Sequence, residues 1–414
     1  DVVLATNTSS ILVAVLASAA GRPENVVGMH FFNPPPLMGL LEVVAPDDVS
    51  EHALAVARAT GEAMGKHVIV AADGAGFLVN RCGRPFGAEA LRLLQERVAS
   101  VEAIDRICRL GGGFRMGPFE LMDLVGVDVG LEVARSFHAQ SFGEPRWKPS
   151  PLQERLVAAG RLGRKSGRGW YRYEDGAHRP DDDEAPAAGG GHGRVVAIEG
   201  GSPLAVELRS RAGACGWDAR EPEELRGGAP ELMIDASEPS AVSDPERAAL
   251  GTGEGGGVPL LSLCAHRSLA ARGEPEACGF SLMPPLGQVG LVELTRLPST
   301  RDAAAEAGEA FFGSLGMRSE WVEDAPGLVL ARIVCQLVNE ACFALGEGVG
   351  DAEAVDDGLT VGLNHPRGPV AWGEAVGLDS VLATIDGLWE ERREERYRAA
   401  PLLRRAVATG VGVR

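Results

Sequence analysis

The chain has 414 residues, of which 45% are hydrophobic, and its formal net charge is −18. This length predicts two to four domains with apolar cores of their own. The acidic balance argues against a nucleic-acid partner, which requires a basic surface. No apolar run approaches the roughly 20 residues that a membrane span needs. Seven scattered cysteines without a C-x-x-C pair indicate a reduced, cytoplasmic location, and no metal site is expected.

Strand and helix patterns alternate over the first 72 residues. The predicted strands are residues 2–5, 26–32, 40–44 and 67–71. The predicted helices are residues 11–20 and 50–64. Ser9 or Ser10 would cap the first helix, because a hydroxyl at that position can accept a free backbone N–H. Alternation of this kind predicts an α/β unit.

The pattern becomes helical only from residue 77 onward. The predicted helices are residues 77–95, 101–110, 127–142 and 152–159. Residues 174–193 are acidic and rich in Gly, Ala and Pro, which predicts a solvated linker. Strand-like runs and then a helical run follow it, at residues 195–198, 232–234, 260–263 and 329–345.

This order predicts a fold class of Rossmann-like α/β domains combined with all-α helical domains. The predicted divisions are 1–72 (α/β), 73–173 (helical), 174–193 (linker), 194–322 (α/β) and 323–414 (helical).

A long internal repeat relates the two halves of the chain. From residue 28 to residue 118 the overlay needs no gap at an offset of 251 positions, and near the end the offset becomes 250. The residues that recur at 251 include Gly28, Glu42, Asp73, Gly76, Arg81, Glu89, Glu96, Asp105 and Gly117, on Gly279, Glu293, Asp324, Gly327, Arg332, Glu340, Glu347, Asp356 and Gly368. This period is too long for a solenoid and predicts duplication of a whole module.

Three polar residues of the first copy are not kept in the second. The same overlay places Ser9 on Leu260, His30 on Ser281 and Asn80 on Ala331. The surrounding residues recur in the second copy, but these three side chains do not. We therefore expect a working site in the first copy and a scaffold role for the second. The ungapped helical overlay also predicts that the two helical modules pack on each other within the chain.

His30 and Glu42 lie on two predicted strands joined by the proline-rich turn at residues 33–36. Two such strands can bring residues twelve positions apart side by side. A carboxylate beside an imidazole fixes its tautomer and favours the imidazolium that a general base becomes. Oxidation of an alcohol needs such a base. The alternative is a partly buried histidine with a hydrogen-bonded glutamate.

Ser9 and Asn80 are weaker candidates. Ser9 lies where a strand gives way to a helix, a place that exposes hydroxyl and backbone N–H groups to a ligand. Asn80 lies one turn into a helix and can offer both a donor and an acceptor to a substrate oxygen. The alternatives are a plain helix cap and an ordinary helical residue.

Five motifs together resemble the L-3-hydroxyacyl-CoA dehydrogenases. They are TNTSS (6–10), GMHFFNPPPLMGLLEVV (28–44), DGAGFLVNR (73–81), GPFELMDLVGVD (117–128) and LGRKSGRGWYRY (162–173). The duplicated arrangement resembles long bacterial members that act on 3-hydroxybutyryl-CoA or, in the phenylacetate pathway, on 3-hydroxyadipyl-CoA. The resemblance implies NAD-dependent oxidation of an (S)-3-hydroxyacyl-CoA to a 3-ketoacyl-CoA in fatty-acid or phenylacetate catabolism.

The resemblance also implies a role for each matching residue. His30 would be the catalytic base and Glu42 its electrostatic partner. Ser9 and Asn80 would hydrogen-bond the reacting oxygen of the acyl-CoA substrate, and Asn7 and Ser9 would contact the NAD cofactor. The second copy would not catalyse the reaction.

The glycine-rich loop of the family's NAD-binding domain is not found in the sequence. It would precede Asp1, so that residues 1–72 would be the C-terminal part of a truncated Rossmann domain. Residues 111–117 and 253–257 are rich in glycine, but neither run follows a strand and opens a helix. The turn after residue 198, in a degenerate second Rossmann-like domain, is the nearest substitute, and its proline and missing third glycine argue against pyrophosphate binding.

Two other functions stay open at this point. One is a cofactor-free acyl-CoA binding or assembly fragment, which has no dehydrogenase activity because the glycine-rich half is missing. The other is a related enzyme of the β-hydroxyacid or nucleotide-sugar type, which the motif around His30 and Glu42 argues against. Acyl chain length, and whether the chain forms a homodimer, are not predicted.

Overall fold

The structure is a computed structural model that describes residues 2–173, 178–179, 181–225, 228–237 and 257–414. It contains two β-sheets and a large set of packed helices. The strands are β1 Leu4–Thr6, β2 Val26–Phe31, β3 Leu40–Ala45, β4 His67–Ala72, β5 Val195–Glu199, β6 Asp218–Arg220, β7 Leu232–Asp235, β8 Leu260–Leu263, β9 Cys278–Ser281, β10 Leu291–Thr295 and β11 Arg318–Trp321.

The helices of the first half follow the predicted order, with one additional helix at Pro118–Val125. They are α1 Val13–Ala20, α2 Glu51–Ala63, α3 Val79–Gln95, α4 Val101–Arg106, α5 Pro118–Val125, α6 Val127–Gln140 and α7 Pro151–Ala158. Those of the second half are α8 Pro203–Ala214, α9 Leu269–Arg272, α10 Asp302–Ser314, α11 Leu330–Gly346, α12 Ala352–Leu363, α13 Pro369–Val376, α14 Leu378–Arg392 and α15 Pro401–Thr409. No helix among the described residues is long and apolar enough to cross a membrane.

The first sheet has four strands in the order β1-β2-β3-β4. β1 is parallel to β2 and β3 to β4, whereas β2 and β3 are antiparallel. The predicted strands end within two residues of the observed ones. The antiparallel register places His30 directly opposite Glu42, as the twelve-residue spacing requires.

The predicted cap of the first helix is wrong. α1 begins at Val13, and its N-cap residue Leu12 makes no capping hydrogen bond with its side chain. Instead the Asp73 carboxylate accepts the backbone N–H groups of Val13 at 3.1 Å and Ala14 at 2.7 Å. A carboxylate at the positive end of a helix is favourable, so a distant residue replaces the local cap and leaves the Ser9 hydroxyl available for another partner.

The first helical region also contains an element that the sequence pattern did not predict. α5 starts after Gly117, and the Asp105 carboxylate accepts the N–H groups of Phe119 and Glu120, both at 2.9 Å. Gly126 ends it with φ of +107°. The predicted helix over residues 101–110 is present as α4 followed directly by a π-helical turn at Ile107–Gly111.

The second sheet has seven strands in the order β11-β10-β9-β8-β7-β5-β6. Strands β8 to β11 are paired in the same way as β1 to β4, with β9 and β10 antiparallel and the other pairs parallel. Three further parallel strands, β7, β5 and β6, extend this sheet beyond β8.

The overlay of Ser9 on Leu260 is wrong. Asp324 accepts the N–H groups of Leu269 and Ala270, as Asp73 does those of Val13 and Ala14. The offset between Val13 and Leu269 is 256 positions rather than 251. α1 has eight residues and α9 only four, so the second half of the chain is shorter there. The residue that matches Ser9 is Ala265.

The two helical regions pack on each other, as the overlay predicts. α3 lies against α11, and nearly every residue of α11 is buried. Arg81 donates to Glu340 and Arg332 donates to Glu89, at 2.8 and 2.9 Å. These two ion pairs are equivalent under the 251-residue offset, so the contact has the reciprocal form of a two-fold interface.

Part of the predicted linker contacts the first helical region. His178 and Arg179 both contact Glu120, and Asp182 accepts hydrogen bonds from Arg106 and Arg109. His178, Arg179 and Asp182 are therefore held by ion pairs, which the composition of the linker did not predict. Residues 253–256 of the second glycine-rich run lie outside the described residues.

Candidate active site

His30 and Glu42 form a buried pair on neighbouring strands. The His30 Nδ1 atom lies 2.8 Å from Glu42 Oε2, and the two residues are 3% and 0% exposed. An ionised carboxylate can only accept a hydrogen bond, so Nδ1 carries the proton and Nε2 is left as an acceptor. Burial of both partners limits screening of their interaction by salt.

The start of α3 holds the other oxygen of Glu42. Glu42 Oε1 accepts the backbone N–H groups of Leu78 at 2.8 Å and Val79 at 3.0 Å. The first N–H groups of a helix have no partner within the helix, and the helix dipole favours negative charge at this end. The Glu42 carboxylate supplies both the partner and the charge. The carboxylate is thus fixed between the helix and the imidazole.

Ser9 completes a line of three side chains. Its exposed hydroxyl lies 2.9 Å from His30 Nε2, at the end of β1. Because Nε2 is the acceptor, the Ser9 hydroxyl donates to it. The alternative in which Ser9 caps α1 does not hold. Asn7, two residues earlier, accepts the Phe31 N–H at 2.9 Å through Oδ1 and joins the ends of β1 and β2.

Asn80 lies near this line but does not join it. It follows Val79 directly, is partly exposed, and its side chain makes no hydrogen bond to any other residue that the structure describes. The four side chains that the sequence singled out for chemistry therefore divide into a connected Ser9–His30–Glu42 line and one adjacent amide.

Aromatic rings enclose the imidazole and were not predicted. The rings of Phe32 and Phe77 have centroids 4.8 and 5.5 Å from that of His30. Phe77 has φ of +52° and follows Gly76, whose φ is +74°. A Cβ on Gly76 would lie 1.7 Å from the Phe137 ring. The glycines of the DGAGF motif were the available signal, because a positive φ and a close ring contact both favour glycine.

The equivalent position in the second half has a different chemistry. Glu293 accepts the N–H groups of Val329 and Leu330, as Glu42 does those of Leu78 and Val79, but the residue opposite it is Ser281. Burial raises the pKa of Glu293 to about 8. The nearby cavity, lined by Ala265 among others, has a volume of only about 30 Å³.

The turn after β5 does not fit a pyrophosphate. Gly200 is packed against the chain so closely that a Cβ would lie 2.6 Å from the Ala236 carbonyl oxygen. Arg209 donates to the carbonyl groups of Ile198 and Gly200. At the start of α8, Ser202 accepts the Ala205 N–H, and Pro203 has no N–H to offer. Two of the first positions of α8 therefore have no free N–H group to offer phosphate oxygens.

No group of three or more His, Cys, Asp or Glu side chains within the described part of the chain is arranged to hold a metal ion. The first sheet has parallel strand pairs, β1 with β2 and β3 with β4, as sheets that bind dinucleotides do. In open α/β sheets such ligands lie beyond the carboxyl ends of parallel strands, and Asn7 and Ser9 lie at the end of β1.

Family models match both kinds of region. The NAD binding domain of 3-hydroxyacyl-CoA dehydrogenase matches residues 1–74. The C-terminal domain of 3-hydroxyacyl-CoA dehydrogenase matches twice, at residues 76–173 and 327–413. Together with the site, these matches define an oxidoreductase of the NAD-dependent dehydrogenase class.

The chain belongs to the 3-hydroxyacyl-CoA dehydrogenase family. It is 33% identical over 401 residues to the 3-hydroxyadipyl-CoA dehydrogenase of Escherichia coli, which is 97% of this chain and 74% of that protein. It is 41% identical to the mitochondrial hydroxyacyl-coenzyme A dehydrogenase of Sus scrofa over 42% of this chain and 55% of that one. The crystal structure of 3-hydroxybutyryl-CoA dehydrogenase from Escherichia coli superposes with a TM-score of 0.77 and 30% identity, covering 99% of this chain and 76% of that chain.

Proposed function

We propose that this protein oxidises (S)-3-hydroxyacyl-CoA to 3-ketoacyl-CoA with NAD, and that His30 is the base. The observation that carries the proposal is the line of hydrogen bonds from Ser9 through His30 to Glu42. It leaves His30 Nε2 as an acceptor whose present donor is the Ser9 hydroxyl, which a substrate hydroxyl can replace. The related dehydrogenases of matching sequence support the same reaction.

His30 would take the proton of the substrate 3-hydroxyl on Nε2 while the hydride on the same carbon leaves. Bound NAD supplies the acceptor for that hydride. The imidazolium so formed is buried, and Glu42 at 2.8 Å offsets its charge. Because two backbone N–H groups already hold Glu42, the pair needs little reorganisation when the charge appears.

Ser9 and Asn80 would position the substrate. The Ser9 hydroxyl occupies the hydrogen-bonding position at Nε2, which is the place that the reacting hydroxyl must reach. Ser9 can rotate and hydrogen-bond the same oxygen, and the unengaged amide of Asn80 can do so from the start of α3. Asn7 and Ser9, at the end of β1, are the residues that would contact the nicotinamide side of NAD.

We further infer that the chain is a duplicated module with one working copy. The paired contacts of Asp73 and Asp324, and of Glu42 and Glu293, support this inference. Strands β1 to β4 then correspond to β8 to β11, and β5, β6 and β7 have no counterpart among the described residues of the first half. In this interpretation the second Rossmann-like domain is degenerate.

The test is reduction of acetoacetyl-CoA with NADH by the wild-type chain and by His30→Ala. The wild type is expected to turn over, and the variant is expected to lose at least about 100-fold in kcat, the usual range for a general base. Binding of NADH, followed by its fluorescence, separates loss of chemistry from loss of cofactor.

Ser281→His is the matched control, because Ser281 occupies the place of His30 in the second half. It is expected to leave kcat within about twofold of wild type. Comparable losses in the two variants would refute the division into a working and a scaffold copy. Absence of both NADH binding and turnover in the wild type would contradict the proposed reaction for this chain and leave an acyl-CoA binding protein.

A further inference from the structure

A cavity of about 490 Å³ lies beside α3 in the first helical region. Apolar side chains and the helix backbone form much of its wall. Its charged lining residues are five cations and one carboxylate, namely Arg84, Arg92, Arg146, Lys148, Arg396 and Glu154. The excess of positive charge favours an anion.

Arg84 differs from the other arginines of this wall. Arg92 and Arg396 both pair with Glu394, at 2.5 and 3.0 Å, and Arg146 pairs with Glu340 at 2.5 Å. For the Arg84 guanidinium, no hydrogen bond or ion pair is found within the described ranges. It stacks on the ring of Phe137 at 4.5 Å.

The surroundings of Arg84 do not neutralise its charge. Burial lowers its pKa to about 10, against the influence of Glu340. Glu340 is itself held by Arg81 and Arg146. Arg84 is half-buried, and a partly desolvated cation of this kind is costly unless a counter-ion reaches it. The guanidinium offers five donors in a fork that matches a carboxylate.

The matching region of the second half has no arginine at the position of Arg84. At the 251-residue offset Arg84 is replaced by Cys335, and Ala88 by Asn339. Asn339 fills its position by donating to the Arg398 carbonyl at 3.0 Å and accepting the Ala400 N–H at 2.8 Å. The open volume and the unpaired guanidinium are therefore features of the copy that carries His30.

Arg84 is also placed within reach of the active site. It lies four residues after Asn80 on α3, so the two side chains share a face and are about 6 Å apart along the axis. Phe137, on which Arg84 stacks, also packs against Gly76. Gly76 precedes Phe77, whose ring contacts His30.

We propose that Arg84 binds the terminal carboxylate of a dicarboxylic 3-hydroxyacyl chain, with its thioester end held at Ser9, His30 and Asn80. This inference deepens the proposed function and rests on it. The acyl chain would pass along the face of α3 from Asn80, and the carboxylate would pair with the guanidinium in the cavity.

The test compares binding of adipyl-CoA and hexanoyl-CoA, which have the same chain length and differ in the terminal carboxylate. Both lack the 3-hydroxyl, so calorimetric binding does not depend on turnover. The wild type is expected to prefer adipyl-CoA by about 10- to 100-fold, the usual contribution of hydrogen bonds to a charged group. Arg84→Met is expected to abolish that preference, and Arg84→Lys to restore part of it.

Arg92→Met is the matched control, because Arg92 lines the same cavity from the same helix but is already paired with Glu394. It should keep the preference for adipyl-CoA. A preference that survives in Arg84→Met, or that falls equally in Arg92→Met, would overturn the proposal. So would binding of free adipate or inorganic phosphate that depends on Arg84 while the two acyl-CoA ligands bind alike, because the cavity would then be a site for a separate anion. An Arg84-dependent preference for adipyl-CoA in a protein that shows no turnover would contradict the proposed reaction but would support the role of Arg84.

Discussion

Arg332 makes four hydrogen bonds at the contact between the two helical regions. It is fully buried and donates to Glu89 at 2.9 Å, to both oxygens of Glu96 at 2.8 Å, and to the Tyr397 hydroxyl at 2.6 Å. Its counterpart Arg81 donates to Glu340 and Glu347. The two arginines are related by the repeat, yet we expect that removing each one lowers the free energy of unfolding by a different amount.

The difference depends on which partners the glutamate keeps after its arginine has been removed. In Arg332→Met the buried Glu89 retains only the Tyr397 hydroxyl, at 3.2 Å, among its partners in the described residues. Breaking a buried pair in this way costs about 3–5 kcal/mol. In Arg81→Met, Glu340 keeps Arg146 at 2.5 Å, so the cost should approach that of one charged hydrogen bond, about 1.5–3 kcal/mol.

Urea unfolding, followed by tryptophan fluorescence, measures both losses. Arg332→Met should lower the midpoint more than Arg81→Met, and adding Glu89→Gln to Arg332→Met should recover part of the loss because it removes the unpaired charge. Equal midpoints for the two single variants, or no recovery in the double variant, would refute this account of the interface.

Two further predictions concern the paired carboxylates. Glu42→Gln should lower kcat by at least about tenfold, because the imidazolium loses its counter-charge, whereas Glu293→Gln should stay within about twofold; steady-state rates of both variants decide this. The raised pKa of Glu293, about 8, means that the folded state holds its proton more tightly than the unfolded state. The free energy of unfolding should therefore fall as pH rises from about 5 through 8 and level off above that. Glu293→Gln should flatten this dependence in urea titrations, and an unchanged slope would show that another group causes it.

Much of the first sheet could be predicted, because the residues that determine each strand lie within or next to that strand in the sequence. Alternating apolar runs and proline-enforced breaks place β2 and β3, and the twelve-residue spacing then brings His30 opposite Glu42. The sequence overlay alone also shows that Ser281 stands opposite Glu293 where His30 stands opposite Glu42. Hydrogen bonds between residues close in sequence are local in the same way: Ser50 accepts the Ala53 N–H at the start of α2, and Ser100 accepts the Ala103 N–H at the start of α4.

The features that were missed depend on distant partners. Asp73 caps α1 from sixty residues away, and no local pattern distinguishes it from an ordinary turn residue. The shorter helix α9 shifts the offset in front of β9, so an ungapped overlay assigns Leu260 where Ala265 belongs. Arg84 looks like any helical arginine until the partners of its neighbours are known.

The reciprocal contact between α3 and α11 has a consequence for how this surface can change. In a homodimer with two-fold symmetry every substitution appears on both sides at once, so a charge cannot be altered on one side alone. Here the two sides are encoded separately: Glu340 also accepts from Arg146, whereas Glu89 also accepts from the Tyr397 hydroxyl. The halves also meet at an effective concentration set by the chain rather than by the amount of protein in solution. Dilution cannot separate them, and mixing two variants cannot exchange one half for another.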